Sequence, residues 1–205
     1  MLYINVPFSD KDEAKALGAK WNTNAKKWFI TNKCDYYKFA KWFPEHFDEY
    51  YIICDYIYLV EKERKCPYCK FPNSEVKVAI PHYYYFYEEP DEYGNTFEYS
   101  HEEPRIVSLK TVKQLICGDL RSFMKKRYLI TVENDRLCQY CLNCHRKLTI
   151  SPSYSFAIYS IDEVSDYTLL KYKIIEDVIV EYLEWCSSDV YIVKYGTKLS
   201  AIDIQ

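Results

Sequence analysis

Cysteines at two places in the chain have the spacing of metal ligands. Cys66 and Cys69 form one C-x-x-C pair, and Cys141 and Cys144 form a second. Two residues between paired ligands allow a tight turn to direct both sulfurs at one ion, and four thiolates suit tetrahedral zinc. We therefore predict that these four cysteines bind one Zn²⁺ as a zinc ribbon. Residues 70–140 far exceed the roughly 15–20 residues that usually separate such pairs, which indicates an inserted substructure.

Two further candidate ligands leave this assignment open. Cys138 lies three residues before Cys141, and His145 directly follows Cys144. If Cys138 and Cys141 were the second pair of ligands, Cys144 and His145 would not be used. We prefer Cys141 and Cys144, because the two basic residues and one apolar residue at 146–148 are expected where a ribbon's second turn enters a strand. Three thiols at C-x-x-C-x-x-C also match part of an iron–sulfur run, although no cysteine–proline pair follows. The C-x-x-C-H run formally matches a c-type haem attachment, which requires an export context that this sequence lacks.

The residue types argue against catalysis, and we expect no catalytic residue. Four thiolates close the coordination shell of zinc, while an activated water needs an open position with an acid or base beside it. The chain has only 4 glycines, which excludes a glycine-rich phosphate loop. No residues group into a hydrolytic triad or a paired-carboxylate signature. We interpret the remaining cysteines as small core residues; they are Cys34, Cys54, Cys117 and Cys186.

Residues 1–47 predict a small β-α-β-β-α module. Residues 2–6 alternate in a β-prone run, and residues 10–17 form a helix pattern with acids in its first turn and a glycine at its end. Residues 20–30 are typical of two short strands joined by a polar turn. Residues 35–43 place apolar side chains on one helical stripe.

Three runs in this module keep an order and spacing that a known family shares. They are Val6-Pro7-Phe8 with Lys11-Asp12, then Ala16-Leu17-Gly18-Ala19-Lys20-Trp21, then Lys26-Lys27-Trp28-Phe29-Ile30. These runs resemble the bacterial domain of unknown function 5710, over residues 2–43. That family occurs as an accessory piece in plasmid and phage proteins, often beside primase-like, topoisomerase-like or anti-restriction-like parts, which implies nucleic-acid handling. Some members resemble this chain further, since they pair the module with a split zinc ribbon that has glycine where this chain has His145.

Two tryptophans in the module are flanked by lysines. Trp21 follows Lys20, and Trp28 follows Lys26 and Lys27. We favour a core role for the two rings, because so small a domain needs large anchors to bury enough area. The alternative is a surface on which the rings stack bases. In both cases the three lysines are candidate nucleic-acid contacts.

Residues 48–205 predict a larger α+β body dominated by antiparallel strands. The strands expected before the second cysteine pair are 48–63, 76–80 and 81–87. Residues 88–104 are acidic and contain proline and glycine, which is typical of an exposed loop. A helix is expected from about residue 108 to 128.

The part of the body after the second cysteine pair predicts strands around a helical tract. Strand-like runs are 148–150 and 157–159. A capping pattern at 160–163 favours a helical tract that extends to about residue 185. The last residues predict a hairpin of strands 190–193 and 199–202.

Basic and acidic residues alternate in blocks, although the formal net charge is only −3. Residues 1–47 carry a net +3 and residues 110–150 a net +6, while residues 48–109 carry −7 and residues 151–205 carry −5. The basic blocks are suited to a polyanion. The alternative is that the blocks neutralise one another in the fold.

The most basic stretch is the end of the predicted helix over 108–128. Lys125, Lys126 and Arg127 are consecutive there, and we take them as candidate phosphate contacts. The alternative is that they complement the negative end of the helix dipole.

Composition and segment lengths predict a globular cytoplasmic protein. Apolar residues make up 49% and charged residues 28% of the chain, as in globular domains. No run has the length of a membrane span, and the N-terminal residues lack a basic segment followed by an apolar run. Nine cysteines without a secretion signal favour metal over disulfides.

These patterns predict a non-enzymatic, zinc-binding accessory protein of a mobile element that binds nucleic acid. The alternative is an adaptor, or an inhibitor of a host defence nuclease, that binds a protein partner through the acidic loop 88–104. We expect neither a membrane nor a small-molecule substrate as a partner.

Overall fold

The computed structural model describes the following residues: 1–44, 49–87, 98–100, 104–107, 115–116, 118–133, 136–148, 164, 166–181, 183 and 188–199. The strands are β1 (Leu2–Ile4), β2 (Lys20–Asn22), β3 (Lys27–Ile30), β4 (Glu49–Ile53), β5 (Tyr56–Lys65), β6 (Pro72–Ile80), β7 (Tyr83–Tyr87), β8 (Glu98–Ser100), β9 (Arg105–Val107), β10 (Ile130–Glu133), β11 (Arg136–Tyr140), β12 (Lys147–Leu148), β13 (Tyr167–Lys173), β14 (Val178–Val180) and β15 (Thr197–Leu199). The helices are α1 (Lys11–Ala16), α2 (Gly118–Tyr128), α3 (Ser188–Tyr195) and the 3₁₀ helices Phe8–Asp10 and Lys33–Trp42. The expected α+β class with mostly antiparallel sheets is confirmed.

The chain divides into two compact units, each built from several segments. Unit 1 contains Met1–Asp55, His82–His101 and Ile174–Tyr182, and unit 2 contains Tyr56–Pro81, Glu102–Lys173 and Leu183–Gln205. Unit 1 has sheets of order β1-β3-β2 and β14-β4-β7-β8, and unit 2 has sheets of order β15-β13-β5-β6-β9 and β10-β11-β12. Among the described strands, only the pair β13 and β15 is parallel.

Unit 1 has one hydrophobic core that spans both of its sheets. Leu2, Ile4 and Ile30 from the three-stranded sheet are buried together with Ala14 of α1. Tyr50 and Ile52 of β4 belong to the same core. The N-terminal segment therefore packs its apolar face against β4, the strand that follows it, while Tyr84 of β7 and Ile179 of β14 pack against the same core.

The single strand predicted over residues 48–63 is wrong. The structure has two strands there, β4 and β5, which are separated at Cys54 and Asp55. Asp55 has a φ of 65°, in the left-handed region that aspartate tolerates better than most residues, so the chain turns out of one sheet at this point. β4 pairs with β7 and β14, whereas β5 pairs with β6 and β13.

Two C-terminal predictions are also wrong. The helical tract expected up to residue 185 contains strands β13 and β14, because β13 lies between β5 and β15 and its apolar side chains are needed to complete that sheet. The strand expected at 190–193 is helix α3, which buries Ile192. Parallel pairing of β15 with β13 requires a crossover connection between them, which a terminal hairpin cannot supply.

Some sequence predictions lie outside the described residues. They are the strand at 157–159, the capping pattern at 160–163, the start of the helix before residue 115 and most of the acidic loop, namely 88–97 and 101–103. Among the helices that the structure describes, none is long and apolar enough to cross a membrane.

Candidate metal centre and nucleic-acid interface

Two β-hairpins of unit 2 place the four predicted cysteine ligands at their turns. Cys66 and Cys69 lie in the turn between β5 and β6, which we call the first knuckle (residues 66–70). Cys141 and Cys144 lie in the turn between β11 and β12, the second knuckle (residues 141–145). Antiparallel pairing continues up to both turns, so each cysteine pair is held at the end of a two-stranded ladder.

The sulfur atoms of the four cysteines form one compact group. The Sγ atoms of Cys66 and Cys144 are 3.8 Å apart, and those of Cys69 and Cys141 are 3.6 Å apart. All four sulfurs lie within 4.8 Å of one another. Zn–S bonds of about 2.3 Å in a tetrahedron place neighbouring sulfurs roughly 3.8 Å apart, so the donor set fits a tetrahedral ion of this size.

The two knuckles repeat the same backbone hydrogen bonds. In the first knuckle the N–H of Cys66 donates to the carbonyl of Phe71 over 2.9 Å. In the second the N–H of Cys141 donates to the carbonyl of Arg146, also over 2.9 Å. The equivalent residues are five positions apart in each case, and the two turns therefore share one local conformation.

A left-handed residue closes each knuckle directly after its second cysteine. Lys70 has a φ of 60° and His145 a φ of 55°, a region that favours glycine. His145 thus adopts a conformation that glycine reaches at lower cost. Its exposed ring is not part of the sulfur group, and neither is Cys138, which is buried in β11 opposite Thr131.

Asn73 links the two knuckles, and the sequence analysis did not identify it. Its side chain is buried, with 6% exposed. Its Nδ2 donates to the carbonyl of Phe71 over 2.9 Å and to the Sγ of Cys141 over 3.6 Å, and its Oδ1 accepts from the N–H of Leu142 over 3.0 Å. The partner turn is some seventy residues away in sequence. No local pattern could therefore have identified this residue.

Hydrogen bonds to two of the four sulfurs favour the thiolate, the form that binds metals. Burial alone would raise the pKa of Cys141, but hydrogen bonds from the backbone of Cys144 and Asn143 and from Asn73 lower it to about 6. The backbone of Phe71 lowers the pKa of Cys69 in the same way. Such donors are typical of the outer shell of a metal site, which orients ligands and tunes their basicity. The backbone of Arg146 acts in the same direction at Cys144, but burial and hydrogen bonds to the neighbouring thiols raise the pKa of Cys144 to about 11.

The segments that carry the knuckles are basic. Residues 64–71 and 141–148 contain five lysines and arginines and no acid. The guanidinium of Arg146, which directly follows the second knuckle, lies 5.0 Å from the ring centre of Tyr68 in the first knuckle. Tyr68 is 52% exposed. A cavity of about 410 Å³ adjoins the first knuckle and is lined by Cys66, Asn73 and Gln139 among others.

A second cluster of possible ligands occurs in unit 1. One donor atom each of Cys54, Asp55 and His82 lies within 4.8 Å of the others. The ammonium group of Lys33 already pairs with the Asp55 carboxylate, and burial raises the pKa of Cys54 to about 12. A protonated thiol and a cation at the carboxylate both oppose metal binding, so we interpret this cluster as an ion-pair network.

The basic helix end divides into two exposed lysines and one paired arginine. Lys125 and Lys126 are exposed in the last turn of α2. Arg127 donates from Nε to Glu61 over 3.0 Å and from Nη2 over 3.4 Å, and the Tyr128 hydroxyl also donates to Glu61. This pairing raises the pKa of Arg127. The two lysines are therefore better placed than Arg127 to contact a ligand.

The lysines of the N-terminal module lie on its surface, as does one of the two tryptophans. Lys20, Lys26 and Lys27 are exposed. The core role favoured for both rings is wrong for Trp21, which is 48% exposed on the edge strand β2, whereas Trp28 is half-buried and packs against the core. Their ring centres are 5.4 Å apart. The buried aromatic anchors of this core include Tyr36, Phe39 and Trp42.

The opposite face of the same sheet carries two rings that the sequence analysis passed over. Tyr3 and Phe29 are paired across β1 and β3, and both are half-buried. Their ring centres lie 6.2 Å apart, and the Nζ of Lys27 lies 5.7 Å from the ring centre of Tyr3. Strand alternation was the available signal, because burial of Leu2 and Ile4 sends the side chain between them to the other face.

Comparison with known proteins identifies the N-terminal segment. Residues 1–44 match the family model of the Domain of unknown function (DUF5710). A DNA primase TraC of Escherichia coli is 49% identical over 43 residues, and another of the same description and organism is 50% identical over 40 residues. These matches cover 21% and 20% of this chain but only 4% and 3% of the primases. No solved structure is similar to the chain.

The DUF5710 segment contains the whole sheet of β1, β2 and β3. It also includes α1 and the 3₁₀ helix Lys33–Trp42, so it supplies most of the described side chains of the unit 1 core. The sulfur cluster lies outside the matched segment, in unit 2.

Proposed function

We propose that this protein is a non-enzymatic accessory protein of a mobile element, which binds one structural Zn²⁺ and nucleic acid. Cys66, Cys69, Cys141 and Cys144 are the proposed zinc ligands, as the two halves of a split zinc ribbon. Its surface lysines are the proposed phosphate contacts. The observation that carries the proposal is the compact group of four cysteine sulfurs from two distant hairpins.

Zinc is the metal that the donor set supports best. Four cysteine sulfurs at these separations suit a tetrahedral ion that needs no redox chemistry. The metal would tie the β5–β6 hairpin to the β11–β12 hairpin. Basic residues next to both knuckles, including Lys65 and Arg146, would offset the negative charge of four thiolates on one dication.

A structural role for the metal follows from the ligand number. Four protein sulfurs leave no open coordination position for a water or substrate, which a catalytic zinc requires. The other cluster of possible ligands among the described residues consists of Cys54, Asp55 and His82 in unit 1. Its Asp55 carboxylate already forms an ion pair with Lys33. We therefore propose binding rather than catalysis.

Nucleic acid is the proposed partner because basic side chains collect on exposed surfaces of an otherwise acidic protein. Lys20, Lys26 and Lys27 are exposed in unit 1, and Lys125 and Lys126 in unit 2. Such lysines contact phosphates without reading sequence. The similarity of the N-terminal segment to part of a DNA primase supports the same class of partner.

Elemental analysis and the visible spectrum test the metal. We expect one zinc per chain in a colourless protein that is purified without added metal. A coloured protein that contains iron would contradict zinc. It would also reopen the assignment of Cys138, which completes the C-x-x-C-x-x-C run.

Fluorescence anisotropy with labelled oligonucleotides tests nucleic-acid binding. We expect affinity for a 20-nucleotide strand to fall steeply as salt rises, because counterions are released on binding. Replacing Lys125 and Lys126 by glutamine should lower the salt slope by about one for each phosphate that is no longer neutralised. The matched control replaces Lys173 and Lys198, two exposed lysines of unit 2 outside the proposed contacts. Binding that is unchanged both by salt and by the replacement of Lys125 and Lys126 would contradict the proposal.

A further inference from the structure

The three-stranded sheet of unit 1 has two faces of different character. Strand pairing puts Ile4 and Trp28 opposite each other, with Trp21 next to Trp28, and this face adjoins the core. Pairing of Tyr3 with Phe29 puts their side chains on the other face, because neighbouring residues in a strand point to opposite sides. We call this second side the outer face.

We propose that the outer face is a stacking platform for the bases of single-stranded nucleic acid, with Tyr3 and Phe29 as the stacking rings. This inference rests on the proposed nucleic-acid binding and names the residues and the form of the ligand. Neither ring was among the predicted contacts. The outer-face residues are Tyr3, Lys20, Asn22, Lys27 and Phe29.

The two rings have the exposure and the support that stacking requires. Both are half-buried, so each keeps part of its surface accessible to a base. Their centres are 6.2 Å apart with an interplanar angle of 61°, and the Nδ2 of Asn22 donates to the Tyr3 hydroxyl over 2.9 Å. These contacts hold the rings before a ligand arrives, and base–aromatic stacking is insensitive to sequence because every base has a π face.

The charge around the rings matches a phosphate backbone. Lys20 is paired opposite Phe29, and Lys27 lies two residues before Phe29 on the same side of the sheet. The strands β1, β2 and β3 contain no acidic residue. The acids of α1 lie across the sheet, because Ala14 of that helix packs into the core with Leu2 and Ile30.

The β2–β3 turn at the end of this sheet contains a third exposed lysine. The Asn22 side-chain oxygen accepts from the N–H groups of Asn24 and Ala25, each over 3.0 Å, which fixes the β2–β3 turn. Lys26 follows in the left-handed conformation with a φ of 51° and is exposed. A nucleic-acid backbone that runs along the strands would therefore meet the cation of Lys26 at the end of the sheet.

Single strands fit this face better than duplexes. In a duplex the bases already stack on one another, so their faces are not accessible to the two rings. A single strand can place bases on Tyr3 and Phe29 while its phosphates meet Lys20 and Lys27. We therefore expect the rings to matter for single strands, with a much smaller effect on duplex binding, which depends on the lysines alone.

Leucine substitutions at the rings test the platform in the full-length protein. Tyr3→Leu and Phe29→Leu remove the π faces and keep apolar volume, and their affinity for labelled deoxythymidine 20-mer should fall about tenfold or more. The matched control is Phe8→Leu, at an exposed ring that also has a lysine above it, Lys11 at 3.8 Å. Phe29→Tyr keeps a ring and should bind like the wild type. Affinity for a 20-base-pair duplex should change less than threefold in all variants.

The outcomes separate this inference from the proposed function. If the wild type binds single strands and the ring variants bind as well as Phe8→Leu, the platform is overturned and nucleic-acid binding stands. If the wild type binds no oligonucleotide, both proposals fail. Equal loss of single-strand and duplex affinity would also overturn the platform.

Photochemical crosslinking keeps the test decisive if a leucine variant misfolds. Wild-type protein is irradiated with a single strand that contains 5-bromodeoxyuridine, and the adducts are located by mass spectrometry. We expect adducts at Tyr3 or Phe29. Adducts confined to other residues would overturn the platform without any variant.

Discussion

Asn73 shows how one side chain can make two distant turns into a single site. It donates to the Phe71 carbonyl in one hairpin and accepts from the Leu142 N–H in the other, beside the Cys141 sulfur. Replacing it by alanine removes the acceptor of the Leu142 N–H and the side-chain donor to the Phe71 carbonyl and the Cys141 sulfur. We expect Asn73→Ala to lose about 1–3 kcal/mol of stability, and to lose zinc to a chelator 10–100 times more readily.

Competition with a chromogenic chelator measures this loss. The control is Ser74→Ala, since only the backbone carbonyl of Ser74 accepts the bond from Gln139. If Asn73→Ala retains zinc as firmly as Ser74→Ala, Asn73 has no part in holding the metal.

His145 illustrates a backbone requirement rather than a ligand role. Its φ of 55° is accessible to histidine but costly for a β-branched residue. We expect His145→Val to lower the free energy of unfolding by about 1–3 kcal/mol. His145→Gly should be at least as stable as the wild type. Both variants should bind one zinc. Zinc loss in His145→Gly would show that the imidazole is a ligand after all.

At the scale of elements, the connection from α3 to β15 depends on close packing at Gly196. A Cβ there would overlap Leu169 Cδ1 of β13 and lie 2.7 Å from the Ile192 carbonyl oxygen of α3. We expect Gly196→Ala to destabilise the protein by about 1–3 kcal/mol, because the helix and the strand would have to move apart. Thermal unfolding compares it with Thr197→Ala, an exposed neighbour. Equal melting temperatures would mean that this contact is loose.

Elements also differ in how far their type could be predicted. The hairpin β5–β6 contains a C-x-x-C turn, whose spacing is a local signal that can be recognised without the rest of the chain. Strand β13 has no such signal, and a capping pattern upstream favoured a helix. Its position between β5 and β15 decides its conformation, because pairing on both sides outweighs local propensity.

At the scale of the whole molecule, metal removal should act on one unit. The sulfur cluster lies in unit 2, while the core of unit 1 contains no proposed ligand. Because metal-binding free energy is folding free energy, chelation should speed amide hydrogen exchange in β5, β6, β11 and β12, with β1 and β3 unchanged. Exchange that rises equally in both units would contradict a local role.

Cysteine variants give the same test without a chelator. Cys69→Ser should reproduce the exchange pattern of the metal-free protein and raise aggregation. Cys34 of unit 1 is exposed, so the core role predicted for it is wrong. Cys34→Ser should therefore keep both zinc and the wild-type pattern. A Cys69→Ser protein that melts normally and retains zinc would show that Cys69 is not a ligand.

Properties that depend on near neighbours could be predicted from the amino-acid sequence alone. The two C-x-x-C spacings identified the candidate ligands Cys66, Cys69, Cys141 and Cys144. The order and spacing of short sequence runs identified the DUF5710 segment. Composition and strand propensity were enough for the α+β class. Each of these follows from residues a few positions apart, whose geometry the covalent chain restricts directly.

Contacts between distant residues became known from the tertiary structure. It brought the two cysteine pairs together, placed Asn73 between them and paired Arg127 with Glu61. It also showed that Trp21 is exposed, while Tyr3 and Phe29 share the face away from the core. Those outcomes depend on which strands pair and which faces are buried. That choice is made by the free energy of the whole fold, so no short stretch of sequence contains it.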